Sequence, residues 1–343
     1  MRRYDAATPG GVPDRVQEGR MTNNVVTVFG GAGFLGRSVV AALARQGAQV
    51  RVACRRPDDA LRCKPLGDVG QVVPIAANIR DDQSVAAAVA GADIVINLVG
   101  ILYESGRQNF TAVHRDGAAR IAQASAAAGV STLIQVSAIG ADPKADARYA
   151  RSKGEGEEAV KAAFPNAVIL RPSIIFGPDD DFFNRFATLA RISPVLPLIG
   201  GGDTRFQPVY VCDVADAVVS VIAKPEAQGR FYELGGLQIY NFRQLLELLM
   251  RVTDRKCLLI PIPFWYAMLK AFFLEILPVP PLTRDQVRML KRDNIVAEGA
   301  AGFSDLNISP TSPEVILPTY LTRFRRAGTR SEIATVSMPK ANR

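Results

Sequence analysis

At 343 residues the chain is long enough to bury one large core or two lobes, and 48% hydrophobic with 22% charged residues is ordinary globular composition. Its formal net charge of +8 collects at the C-terminus, where Arg323, Arg325, Arg326, Arg330, Lys340 and Arg343 face a single acid, Glu332. That placement argues against a basic nucleic-acid groove across the body, and one histidine with four scattered cysteines excludes a four-ligand zinc site.

Residues 1–22 are rich in Gly, Pro and charge and lack the apolar run of a secretory signal, so they are expected to be a disordered extension. The first predicted strand is Val25–Phe29, followed by Gly30-Gly31-Ala32-Gly33-Phe34-Leu35-Gly36 and a helix over Phe34–Gln46. Strands follow at Gln49–Cys54, Val72–Ala76, Ile94–Val99, Thr132–Ser137 and Ala167–Pro172. Between them lie Ala-rich helical runs over Asp82–Ala90, Ala112–Ala128 and Ala150–Ala163. Alternating apolar strands and helices predict an α/β fold: a Rossmann-type, doubly wound parallel sheet over residues 23–175. Residues 176–322 are expected to form a smaller C-terminal lobe with helices over Asp213–Ala223 and Phe242–Val252, and residues 323–343 a flexible basic tail. Inside the lobe, residues 264–277 are unusually apolar. Lys270 and Glu275 interrupt the stretch and it is too short to span a bilayer. Two readings stand: a buried core helix, or a surface helix meeting lipid or a partner with Trp265 and Tyr266 as anchors.

The glycine run carries the first chemistry. Gly30 permits a tight turn, Gly33 lets backbone N–H groups approach a pyrophosphate, and Gly36 lets the helix pack close to the strand. The second strand ends in Arg55 and Arg56 where an NAD site would carry an acid. With Arg37 after the last glycine, these side chains suit a 2′-phosphate and predict NADP(H) over NAD(H). Tyr149 and Lys153, four residues apart, share one helix face, and Ser137 closes a strand twelve residues before Tyr149. In such a site the tyrosine is a general acid/base whose pKa the ammonium lowers, and the serine orients a carbonyl.

These residues resemble the short-chain dehydrogenase/reductase superfamily in its extended and atypical branches. Further matches are Asn97-Leu-Val-Gly100, Leu170-Arg-Pro-Ser-Ile-Ile-Phe-Gly-Pro178 and the stretch from Arg205 to Ala215. Lys64-Pro-Leu-Gly-Asp-Val-Gly-Gln71, Gln207-Pro-Val-Tyr-Val-Cys-Asp213 and Thr283-Arg-Asp-Gln-Val287 narrow the resemblance to the alpha-subcomplex subunit 9 type of respiratory complex I and its bacterial relatives. The resemblance implies an NADPH-binding accessory subunit, peripheral on the cytoplasmic side of a bacterial inner membrane or on the mitochondrial matrix side. Its partners would be complex I subunits near the quinone module, with lipid contact through 264–277. The implied cofactor contacts are Gly30, Gly33, Phe34, Leu35, Gly36, Arg37, Arg55, Arg56, Asn78, Ile79, Leu98, Val99, Gly100, Ser137, Tyr149, Lys153 and Pro172. If the chain is active, as an NADP-dependent oxidoreductase or epimerase, Ser137, Tyr149 and Lys153 are its catalytic residues. Active relatives commonly carry Asn where this chain has His114, which is expected either to relay a proton or to serve only as a polar residue at a helix start.

Overall fold

The computed structural model describes residues 21–22 and 24–325. The expected disordered extension therefore lies, apart from Met21 and Thr22, outside the described residues, as does the expected basic tail beyond Arg325. The first half of the chain alternates β1 (Val25–Phe29), α1 (Phe34–Arg45), β2 (Gln49–Cys54), β3 (Val72–Ala76), α2 (Asp82–Val89), β4 (Ile94–Asn97), α3 (Asp116–Ala127), β5 (Thr132–Val136), α4 (Arg148–Ala163) and β6 (Val168–Pro172). The central strands are near-continuous runs of β-branched and aliphatic residues, buried on both faces as a parallel sheet covered on two sides requires.

Seven parallel strands form the sheet. Its order is Phe231–Leu234, β6, β5, β4, β1, β2, β3. The chain runs outward from β1 through β2 and β3, then crosses over to β4 and runs the other way. The reversal leaves a crevice beyond the C-terminal ends of β1 and β4, where Phe29 pairs with both Ala53 and Asn97. One face is covered by α1 and by α6 (Val211–Ala223), the other by α2, α3 and α4, giving two cores on opposite sides of the sheet. Both α6 and the seventh strand lie after the residue-175 boundary expected from the sequence. The strand returns because β6 would otherwise present an unpaired edge, and α6 because the sheet face beside α1 needs apolar cover.

A third core belongs to the C-terminal part. It packs α5 (Phe182–Ile192), α7 (Phe242–Thr253) and α10 (Pro313–Leu321) around Phe183, Leu196, Leu246 and Leu317. Two small parallel pairs brace it: Ile175–Phe176 with Val209–Tyr210, and Val195–Ile199 with Leu258–Ile262.

Two elements differ from expectation. The predicted helix over Ala112–Ala128 is α3 preceded by a wide π turn, Thr111–Arg115. There the His114 carbonyl lies against α4 so closely that a Cβ on Gly156 would come within 2.1 Å of it. The apolar stretch 264–277 forms α8 (Phe264–Leu274), but not as a core helix. Only the small Ala267 and Ala271, one turn apart, are fully buried, while Trp265 is 70% and Ile276 80% exposed. A short helix, α9 (Arg284–Met289), follows with a Thr283–Gln286 capping box. Among the described residues no helix is long and apolar enough to cross a membrane.

Candidate functional site

The glycine turn joins β1 to α1 in the crevice. Gly30 adopts φ +79°, a left-handed conformation natural to glycine, and its amide donates to Ala53 O at 3.1 Å. A Cβ there would sit 3.3 Å from the backbone of Leu98 and Val99, so the turn and the end of β4 meet backbone to backbone. Gly36 is tighter still: a Cβ would fall 2.3 Å from Gly30 O and 2.6 Å from Gly31. The N-terminus of α1, capped by Gly33, has no side-chain cap and no acid in its first turn. Its N–H groups at Phe34, Leu35 and Gly36 point outward with the positive end of the helix dipole, which is an anion site.

The arginines divide. Arg37 pairs with Asp179 at 2.5 Å, and Arg56 pairs with Asp59 at 3.0 Å. Arg55 is exposed and makes no ion pair among the described residues. Arg62, which the sequence reading missed, donates to Ala32 O at 3.1 Å inside the glycine turn. It lies on the irregular helical segment Pro57–Leu66, whose return toward α1 was not legible from local pattern. At the end of β3, Asn78 accepts from Arg80 through its side chain, while the buried Ile79 packs on Gly117 of α3.

Beyond β4 and β5 lies a cleft of about 850 Å³, lined by Leu98, Gly100, Ser137, Tyr149, Lys153 and Pro172 among others. The structure thus gathers the predicted triad and the β4 end on one cavity. Ser137 is 5% exposed, and its hydroxyl is a buried polar atom with no hydrogen-bond partner among the described residues. Lys153 is buried and its ammonium reaches Val136 O at 3.3 Å; burial pulls its pKa down to about 8 against the opposing pull of Glu157. Burial pushes the Tyr149 phenol up to about 12. The lowering expected from the ammonium is not seen: the shift runs upward, and its cause is desolvation, which disfavours the phenolate.

Of the two alternatives left open for His114, the geometry favours the one without a relay. Its Nε2 accepts from the Ile101 N–H at 3.0 Å, which assigns the proton to Nδ1, 2.9 Å from Ser152 Oγ. Ser152 in turn donates to Tyr149 O at 2.8 Å. Burial and the Lys153 charge push the imidazole pKa down to about 2. The ring is therefore a neutral brace between the β4 loop and α4, with both nitrogens engaged, and not a proton relay. A second brace was not foreseen: Asp285 of α9 accepts from the Arg148 and Tyr149 amides at 2.6 and 2.8 Å, capping α4 at the residue that carries the phenol. The Thr283–Gln286 cap was legible in the sequence; the helix that Asp285 caps, 136 residues away, was not.

These residues fit a nicotinamide dinucleotide. The glycine cradle that a Cβ would fill suits a pyrophosphate, and the orphaned Ser137 hydroxyl beside Tyr149 and Lys153 suits the nicotinamide end. Among the described residues no group of His, Cys, Asp and Glu could hold a metal ion.

Comparison with known proteins agrees with this geometry. Residues 26–235 match the "NAD dependent epimerase/dehydratase family". NADH dehydrogenase [ubiquinone] 1 alpha subcomplex subunit 9, mitochondrial, from Arabidopsis thaliana is 36% identical over 316 residues, covering 89% of this chain and 79% of that protein. Its counterpart from Rattus norvegicus is 36% identical over 305 residues, covering 88% and 80%. The dTDP-glucose 4,6-dehydratase of Streptomyces venezuelae, solved with NAD, superposes with a TM-score of 0.68 at 19% identity over 88% of this chain and 96% of that one, a likeness of fold. The chain belongs to the NAD dependent epimerase/dehydratase family and, within it, to the family of the alpha subcomplex subunit 9 proteins.

Proposed function

We propose that this chain is an accessory subunit of respiratory complex I or of its assembly intermediates, with NADP(H) as a structural cofactor. The observation that carries the reading is the reach of the similarity. The alignment with the alpha subcomplex subunit 9 proteins spans about nine-tenths of the chain, past residue 235 where the general family match stops. The nucleotide lies with its pyrophosphate on Gly30, Gly33 and Gly36 and its nicotinamide toward Ser137, Tyr149 and Lys153. Bound there, the nicotinamide is a hydride carrier, but in this reading Tyr149 and Lys153 hold the ribose without turnover. Arg55 and Arg62 favour a 2′-phosphate, so NADPH binds more tightly than NADH; comparable affinities for both would remove that preference.

The exposed face of α8, with Trp265, Phe272 and Phe273, and Ile276 just beyond its end rest on the lipid surface or a membrane-proximal subunit near the quinone module. In this reading the protein is peripheral, on the cytoplasmic side of a bacterial inner membrane or the matrix side in mitochondria. Purification from native membranes, with mass spectrometry of nucleotide and co-eluting proteins, is the test. Co-elution with complex I subunits and NADPH is expected; a cytosolic monomer with no membrane fraction would refute the reading.

A second reading, an active NADP-dependent oxidoreductase or epimerase, is favoured by the Ser137–Tyr149–Lys153 constellation on one cavity. It predicts turnover of a carbonyl substrate that Tyr149→Phe abolishes with NADPH affinity unchanged. A broad carbonyl panel without Tyr149-dependent turnover leaves the accessory reading alone.

A further inference from the structure

We propose that the cleft beyond Tyr149 is a binding chamber for a neutral long-chain lipid that carries one hydroxyl or carbonyl oxygen. The inference goes beyond the accessory-subunit reading. It relies on that reading only in leaving the glycine-turn half of the crevice to the dinucleotide.

The walls set the ligand class. Past Ser137 and Tyr149 the cavity is lined by Phe182 and Phe186 of α5, Ile199, Phe242 at the start of α7, Leu282 and Leu290. Of the polar side chains that share the lining, Ser173, Gln286, Asp293 and Asn294 already bond within the protein, so a sugar or other polyol buried there finds few partners and loses much of its water uncompensated. A hydrocarbon chain gains about 0.8 kcal/mol per buried CH₂. One oxygen on the ligand suffices for the polar end, because Ser137 lines this cavity and its buried hydroxyl has no partner among the described residues.

Charge argues for a neutral ligand. Four cations line the mouth, and each already has a partner. Arg185 donates to Pro281 O, Arg288 faces Asp285 at 3.8 Å, Lys291 lies 5.7 Å over the Phe264 ring, and Arg292 faces Asp146 at 3.8 Å. Four carboxylates, Asp146, Asp181, Asp285 and Asp293, stand among these four cations, so the mouth has no excess positive charge to draw a diphosphate.

The route into the chamber follows from the packing. Ile199, Leu282 and Leu290 belong to the same cluster as Phe264, Ala267, Met268 and Ala271 of α8. The outer wall of the chamber is therefore the inner side of the α8–α9 pair, whose outer side is the exposed apolar ridge. A lipid leaving an apolar surface at α8 crosses one layer of side chains, at Pro281 and Leu282, to reach Ser137.

Equilibrium dialysis of the full-length protein against tritiated dodecanol, below its solubility limit, without vesicles, and with and without NADPH, tests the proposal. Saturable binding of one dodecanol per chain is expected. Leu282→Trp, which fills the chamber, should weaken it at least tenfold with NADPH affinity unchanged, whereas Phe273→Asp on the outer ridge should leave dodecanol affinity unchanged. If Leu282→Trp also loses NADPH, Phe186→Trp decides in its place. Three results would overturn the proposal: no saturable dodecanol binding, binding indifferent to chamber filling but lost in Phe273→Asp, or binding of UDP-glucose in place of dodecanol. Dodecanol bound with the expected variant pattern but no NADPH affinity would sink the nucleotide reading and leave the chamber standing; the converse separates the two equally well.

Discussion

Gly36 and His114 mark the two ends of what single residues reveal. The glycine spacing announces a close approach, and the structure supplies its partner, Gly30 O. Replacing Gly36 by Ala puts a methyl where backbone already sits, so the turn must open. A cost of about 1–3 kcal/mol in stability is expected, with a clear loss of NADPH affinity in calorimetry. Retained affinity would show that the cradle does not hold the pyrophosphate. His114 could not be read this way, since relay and brace call for the same residue type; the choice rested on where the Ile101 amide and Ser152 hydroxyl lie. Its neutrality has a pH signature. The unfolded histidine takes up a proton near 6.5, the folded one only near 2, so stability falls as pH drops below 6.5, by about 1.4 kcal/mol per unit. His114 is the chain's only histidine. Chemical denaturation between pH 5 and 6.5 should show this slope in the wild type and lose it in His114→Asn.

At the scale of elements, α4 and α8 were both legible as helices, and each was settled by what packs on it. The Tyr149–Lys153 spacing put phenol and amine on one face of α4, but its first turn is satisfied by Asp285 from the other end of the chain. Asp285→Ala should cost about 1–2 kcal/mol of stability. It should also weaken NADPH binding, because the capped residue is the one proposed to meet the nicotinamide end. Thermal melts with and without NADPH separate the two effects: an equal shift in both would make Asp285 purely structural. For α8, apolar content was plain from the sequence, yet content does not say which side faces the protein. Small residues at 267 and 271 let the helix lie close on α9, and the bulky ones are left outside. Phe273→Asp should therefore leave the melting temperature nearly unchanged and reduce flotation with anionic lipid vesicles several-fold. A large loss of stability would return α8 to the core.

Across the whole molecule, nucleotide binding and folding are one equilibrium. In the proposed pose the cofactor touches β1, β2, β4, β5 and α4, and a ligand that binds only the folded chain stabilises it by about 4 kcal/mol at a thousandfold excess over Kd. NADPH should raise the melting temperature by several degrees, and more than NADH at equal concentration; no shift with either would refute a dinucleotide in the crevice. The amino-acid sequence alone determined the alternation of strands and helices, the glycine cradle and the Ser–Tyr–Lys set, because each is written in residues close together in the chain. Tertiary structure alone decided the return of α6 and the Phe231–Leu234 strand to the sheet, Arg62 at the turn, the tautomer of His114, the Asp285 cap and the outward face of α8. Those depend on contacts between residues far apart in the chain, and local periodicity carries no record of which distant surface an element will meet.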